Sequence, residues 1–138
     1  MLGGHFSVIT TLKRSIPALK KNLKNYGLYD NCVSISSVDI PVLELESNLN
    51  LTEQKIEEKI KEILDNSDTE IFVLGCAGMA DFAIKMKKKY NIPVIEGISV
   101  AVKFAESFID LDLKTSSRNS FAMPRSKKFT GIFKNFEV

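Results

Sequence analysis

The stretch Glu70-Ile-Phe-Val-Leu-Gly-Cys-Ala-Gly-Met-Ala80 constrains the fold more than any other part of the chain. Ile71 to Gly75 shows no polar alternation, the pattern of a strand covered on both faces in a parallel sheet under helices. Cys76, Ala77 and Gly78 follow at once, and then Met79, Phe82, Ala83, Met86 and Tyr90 recur at helical spacing. Strand, small-residue turn and helix together form the ligand site of an open α/β sheet, at the carboxyl end of a strand. Gly75 and Gly78 would let backbone N–H groups approach a ligand closely. A helix N-terminus adds a favourable field for a negative group or a thiolate. Cys76 is the residue of this stretch best placed for chemistry.

The remaining elements agree with that arrangement. Phe6 to Thr11 reads as a β-branched strand that ends in two threonines, at the same end of the sheet as Cys76. Ser15 reads as the cap of a helix that tolerates Pro17 in its first turn, carries the stripe Ile16, Leu19, Leu23, Tyr26, and ends at Gly27. Cys32 to Ile40 alternates moderately and reads as a strand closed by Pro41. Thr52 is expected to cap a helix whose buried face is Ile56, Ile60, Ile63 and Leu64. Asn91 marks the end of the helix after Cys76. Ile92 to Ile98 reads as a buried strand with Pro93 near its start. Ser99 is expected to cap a last helix, with Val100, Phe104, Ala105, Phe108 and Leu111 on one face. From Lys114 the pattern fails, and the segment is expected to be disordered or laid on a surface that its aromatics can use. The expectation is an α/β fold: a single three-layer lobe with a parallel sheet of about four strands flanked by helices. Residues 1–113 would form the lobe and 114–138 a tail.

Composition excludes several classes of function. At 138 residues the chain suits one domain with a sizeable core. Nineteen basic and 17 acidic residues leave a net charge of +2, and no basic face is interleaved with aromatics, so no nucleic-acid partner is expected. Runs such as Lys20-Lys21 and Lys87-Lys88-Lys89 read as solvated helix faces. The single histidine, His5, and two unlike cysteines, Cys32 and Cys76, offer no metal-ligand spacing. The chain shows no signal-peptide pattern and no apolar run approaching the ~20 residues of a membrane span. No membrane partner is expected, and the protein is expected to be cytoplasmic with reduced thiols.

A cysteine on a strand is more often a small buried hydrophobe than a catalyst. That reading suits Cys32, which opens a strand with no glycine nearby. For Cys76 both readings stand. Thr10 and Thr11 are either polar contacts for a substrate carbonyl or N–H, or a plain β-branched strand end. Asp81 reads as a helix first-turn acid serving the dipole. Glu96 either faces the same cleft or pairs with a lysine. The residues by themselves describe an α/β domain with a reactive thiol.

Phe6-Ser-Val-Ile-Thr-Thr11, Leu74-Gly-Cys-Ala-Gly-Met79 and Ile92-Pro-Val-Ile-Glu-Gly97 resemble the C-terminal lobe of the aspartate/glutamate/hydantoin racemase superfamily. Within it they are similar to the hydantoin and allantoin racemases, as are Asp39-Ile-Pro-Val-Leu-Glu-Leu45 and the segment around Lys114, Pro124 and Gly131. The resemblance implies cofactor-independent racemisation at a carbon acidified by a neighbouring carbonyl, with a small hydantoin-type molecule as substrate. One cysteine, as thiolate, removes the proton; a second, as thiol, delivers a proton to the opposite face. Cys76 matches the second of these. Backbone N–H groups of Ala77, Gly78 and Met79 would hold substrate oxygens, and Thr10 and Thr11 would supply polar contacts. Nothing in the chain resembles the N-terminal lobe that carries the first cysteine. The resemblance therefore implies half of a two-lobe racemase, working with a complementing N-terminal lobe or as a homo-oligomer. A non-catalytic binding module of the same fold, or a thiol redox protein built on Cys76, are the alternatives.

Overall fold

The computed structural model describes residues 2–126 and 128–136. Strands and helices alternate strictly: β1 Phe6–Thr10, α1 Ile16–Asn25, β2 Cys32–Ser37, α2 Leu49–Asn66, β3 Ile71–Leu74, α3 Ala80–Tyr90, β4 Val94–Glu96 and α4 Gly97–Asp110. All the strand pairs are parallel, in the order β2-β1-β3-β4, so β1 and β3 lie at the centre. The expected α/β sheet with flanking helices is the fold observed.

The core lies on one face of the sheet. Ile9, Phe72, Leu74 and Val94 point into it and meet Ile56, Ile60 and Ile63 of α2 and Phe82, Ala83 and Met86 of α3. On the other face, Phe6, Val8, Ile71, Val73 and Ile95 line an apolar groove of about 390 Å³ whose far wall is Leu19 and Leu23 of α1. Alternation along each strand explains the division, since successive side chains point to opposite faces. Lys85 pairs with Glu53 at 2.5 Å and Lys89 with Glu57, tying α3 to α2 on the solvent side. Exposed pairs of this kind contribute little each. The apolar contacts beneath them hold the layer together.

Helix ends follow backbone chemistry. Gly27 has φ +68°, the Gly27 N–H bonds the Lys24 carbonyl and the Leu28 N–H that of Leu23, a Schellman ending that a residue with a Cβ would strain. Asn91 ends α3 in the same left-handed region, at φ 52°. Two expected caps are corrected. The cap of α2 is Asn48, whose side chain accepts from the Leu51 N–H at 3.1 Å, while Thr52 lies buried inside the helix and donates to the Leu45 carbonyl at 3.0 Å. Ser99 lies inside α4, and Glu96 takes its place: the carboxylate accepts from the N–H groups of Ile98 at 2.7 Å and Ser99 at 2.9 Å. Ser15 stands at the N-cap of α1 but makes no side-chain capping bond. Strand β2 stops at Ser37 rather than running to Ile40, because Asp39 turns to φ 54°.

The chain divides into two compact units, Met1–Phe104 and Ala105–Val138, with the boundary inside α4. In the second unit the backbone is mostly irregular, with short 3-10 turns at Asn119–Phe121 and Gly131–Phe136. Every residue whose exposure is described from Gly97 onward is exposed, including Val100, Phe104, Phe108 and Leu111. Among the described residues no helix is long and apolar enough to cross a membrane.

Phe72 is fully buried at the centre of the core, so Phe72→Ala is expected to lower unfolding stability by about 3–5 kcal/mol. Urea denaturation followed by circular dichroism checks this. Glu96 provides a second test, because its bonds to the start of α4, led by those from Ser99, hold its carboxyl below the usual carboxylate range. A lowered folded-state pKa contributes stability that is present above the unfolded value of about 4.3 and is lost as pH falls through the folded value. Glu96→Gln is expected to lower stability at neutral pH and to flatten the acid limb of a Tm-against-pH curve.

Candidate active site

The site is built where β1 and β3 end side by side. The Gly75 N–H donates to the Ile9 carbonyl at 2.8 Å, the last rung of the central ladder. This rung sets Gly75 beside Thr10 and carries Cys76 past the end of the sheet. Both threonines are almost fully buried, with 2% and 5% of their surface exposed, and their carbonyls accept from the N–H groups of Val38 and Ile40. Their backbones are thereby fixed by the segment after β2. Cys76 is half-buried and extended, at φ −145° and ψ 135°, and precedes a 3-10 turn over Ala77–Met79. That turn separates the thiol from α3, which starts at Ala80 rather than directly after Cys76.

Thr10, Thr11 and Cys76 line one cleft of about 540 Å³, together with Arg14, Ser15, Ala18, Leu19, Asn22, Val42 and Gly75. A volume of this size suits a small molecule. Within the turn, the Met79 N–H bonds the Cys76 carbonyl at 3.0 Å and its side chain is fully buried, so Met79 serves the core and the turn. The N–H groups of Ala77 and Gly78 come first in the turn and have no acceptor among the described residues, as expected at a helix start. Gly78 has ordinary φ. A Cβ there would lie 3.1 Å from Leu45 Cδ1, so Leu45 would have to shift by a few tenths of an ångström to accommodate it. Leu45 is fully buried, so the acidic loop before α2 presses on the turn that holds the thiol.

Cys32 stands elsewhere. It opens β2 in register with Phe6, which is in register with Ile71, so it lies at the amino end of the parallel sheet. Cys76 lies five positions beyond that level, about 16 Å along the sheet direction at the usual rise per residue. Burial pushes the Cys32 thiol up, and it donates to the Ser34 carbonyl at 3.4 Å. His5 is exposed at that same amino end, beside Glu70, whose carboxylate accepts from its N–H at 2.8 Å. Glu96 is committed to α4, and Asp81 is exposed in the first turn of α3. Among the described residues no group of three His, Cys, Asp or Glu is arranged to hold a metal ion.

Sequence reasoning missed Arg14, Ser15, Asn22 and Val42 as cleft residues. Ser15 and Asn22 sit on the α1 side of the cleft and Val42 on the loop after β2. The available signal was position: residues just after the carboxyl end of a strand in a parallel sheet face the same edge as Cys76.

Residues 1–105 match the family model described as Asp/Glu/Hydantoin racemase. The chain belongs to the Asp/Glu/hydantoin racemase family. It is 34% identical over 136 residues to a protein of Pseudomonas sp. (strain NS671) described as hydantoin racemase, covering 99% of this chain and 55% of that one. It is 37% identical over 126 residues to a hydantoin racemase of Rhizobium meliloti, covering 91% and 52%. Among solved structures, the allantoin racemase from Klebsiella pneumoniae superposes with a TM-score of 0.85 at 36% identity, over 96% of this chain and 54% of that one. The allantoin racemase from Pseudomonas fluorescens superposes with a TM-score of 0.79, also at 36% identity, over 94% and 55%. The chain thus spans about half the length of these relatives.

Proposed function

We propose that this chain supplies one face of the proton-transfer site of a cofactor-independent racemase for hydantoin-type rings, with Cys76 as its acid–base group. The observation that carries the reading is the half-buried Cys76 opening into a cleft with Thr10 and Thr11 at the carboxyl end of the central strands. Membership of the racemase family supports it.

In the proposed step the Cys76 thiolate takes the proton from the ring carbon next to the carbonyl. The C–H electron pair moves into the carbonyl, leaving negative charge on its oxygen. The Ala77 and Gly78 N–H groups hold that oxygen, and Thr10 and Thr11 orient the ring edge. A thiol on the opposite face returns a proton to the carbon, inverting it; for the other enantiomer the two thiols exchange roles. Cys32 does not line the cleft, so the second acid comes from a complementing lobe or another copy. The distance between the two cysteines along the sheet also argues against a dithiol redox centre.

The test is α-proton exchange in D₂O, followed by NMR on single enantiomers of a 5-substituted hydantoin and of allantoin. Exchange above a protein-free control is expected. Cys76→Ser is expected to reduce it by about 10²-fold or more, the usual weight of a general base. Unchanged exchange in that variant would overturn the assignment of Cys76. Cys32→Ser is expected to stay within about twofold of the wild type. Ring binding by the folded wild-type chain without exchange would favour a binding module over a half-site with a working base.

A further inference from the structure

Among the residues that line the Cys76 cleft, Arg14 carries the one formal charge. It is exposed toward solvent and forms no ion pair or hydrogen bond among the described residues. Its neighbour Lys13 differs in this respect, since Lys13 is held by Asp39 at 3.2 Å. No carboxylate lines the cleft to neutralise the guanidinium.

The surroundings of Arg14 favour the same sign of ligand. Ser15 stands at the N-cap of α1 with its hydroxyl unused for capping, and it lines the cleft together with Ala18. Thr10 and Thr11 are more than nine-tenths buried, and neither hydroxyl has a partner among the described residues; they open into the same space. Free hydroxyl donors and an unpaired guanidinium thus converge on one small cleft. The neutral hydantoin ring uses only part of this set: its carbonyls and N–H groups can be met by the threonines and the turn after Cys76. The guanidinium, with its planar fork of donors, matches a carboxylate.

We propose that Arg14 is a specificity-determining residue that binds a carboxylate on the ring substituent, so that the preferred substrates are cyclic ureides with an acidic side chain. This inference rests on the proposed racemase reading for the identity of the ring, but its test reads binding rather than turnover. The probes are hydantoin-5-acetic acid and its carboxamide, which share shape and differ in charge, titrated by calorimetry into the full chain at low salt.

The wild-type chain is expected to bind the acid more tightly than the amide, with the difference shrinking as salt rises. Arg14→Gln is expected to cut the acid-to-amide affinity ratio by about tenfold or more, as loss of a charge-assisted hydrogen bond does. Arg14→Lys should restore part of the ratio. Arg14 is exposed, so the variants are expected to keep the wild-type circular dichroism and melting curve. An unchanged ratio in Arg14→Gln would overturn the proposal, as would a wild-type chain that binds neither probe. Equal weakening of both probes would also overturn it, since that result assigns Arg14 to the ring. Arg14-dependent binding of the acid without proton exchange at C5 would overturn the racemase reading and leave the carboxylate site standing.

Discussion

The parallel pairing of β1 with β3 governs everything that follows from this fold. These two strands are central, and they run from Phe6 against Ile71 to Ile9 against Leu74 without a break in register. Because the ladder continues into the bond from Gly75 to Ile9, Gly75 is level with Thr10 and Cys76 leaves the sheet one position further on, level with Thr11. A slip of one residue would turn every side chain to the opposite face, sending Phe72 and Leu74 out of the core and Cys76 away from the cleft. The buried face therefore enforces the geometry of the site. Core and chemistry share one register.

The turn after β3 is held from two sides. Its own hydrogen bond, Met79 N–H to Cys76 carbonyl, closes it from within, and the fully buried Met79 side chain anchors it to the core. From outside, Leu45 sits against Gly78, and the Leu45 carbonyl is in turn bound by Thr52 of α2. The first N–H groups of the turn and the threonine hydroxyls are left without a partner among the described residues.

The far end of the first unit contrasts with this. Helix α4 starts on the Glu96 carboxylate and carries an apolar stripe, yet its side chains are exposed over its whole length.

Local structure was legible in the sequence because it depends on local rules. The unbroken apolar run at Ile71 to Leu74 specifies a strand, the helical spacing from Phe82 to Met86 a helix, and Gly27 and Asn91 the left-handed ends that few other residues tolerate. The position of Cys76 just beyond the strand followed from the same pattern. The caps were misread at Thr52 and Ser99 because a hydroxyl near a helix start looks like a cap, whereas Asn48 and Glu96 had the geometry to reach the free N–H groups. What the tertiary structure alone decided is which residues become neighbours. The order β2-β1-β3-β4 brings Arg14 and Val42 to the cleft of Cys76 and leaves Cys32 at the other end of the sheet. Periodicity records which way a side chain points within its own element; only long-range strand pairing determines what it meets there.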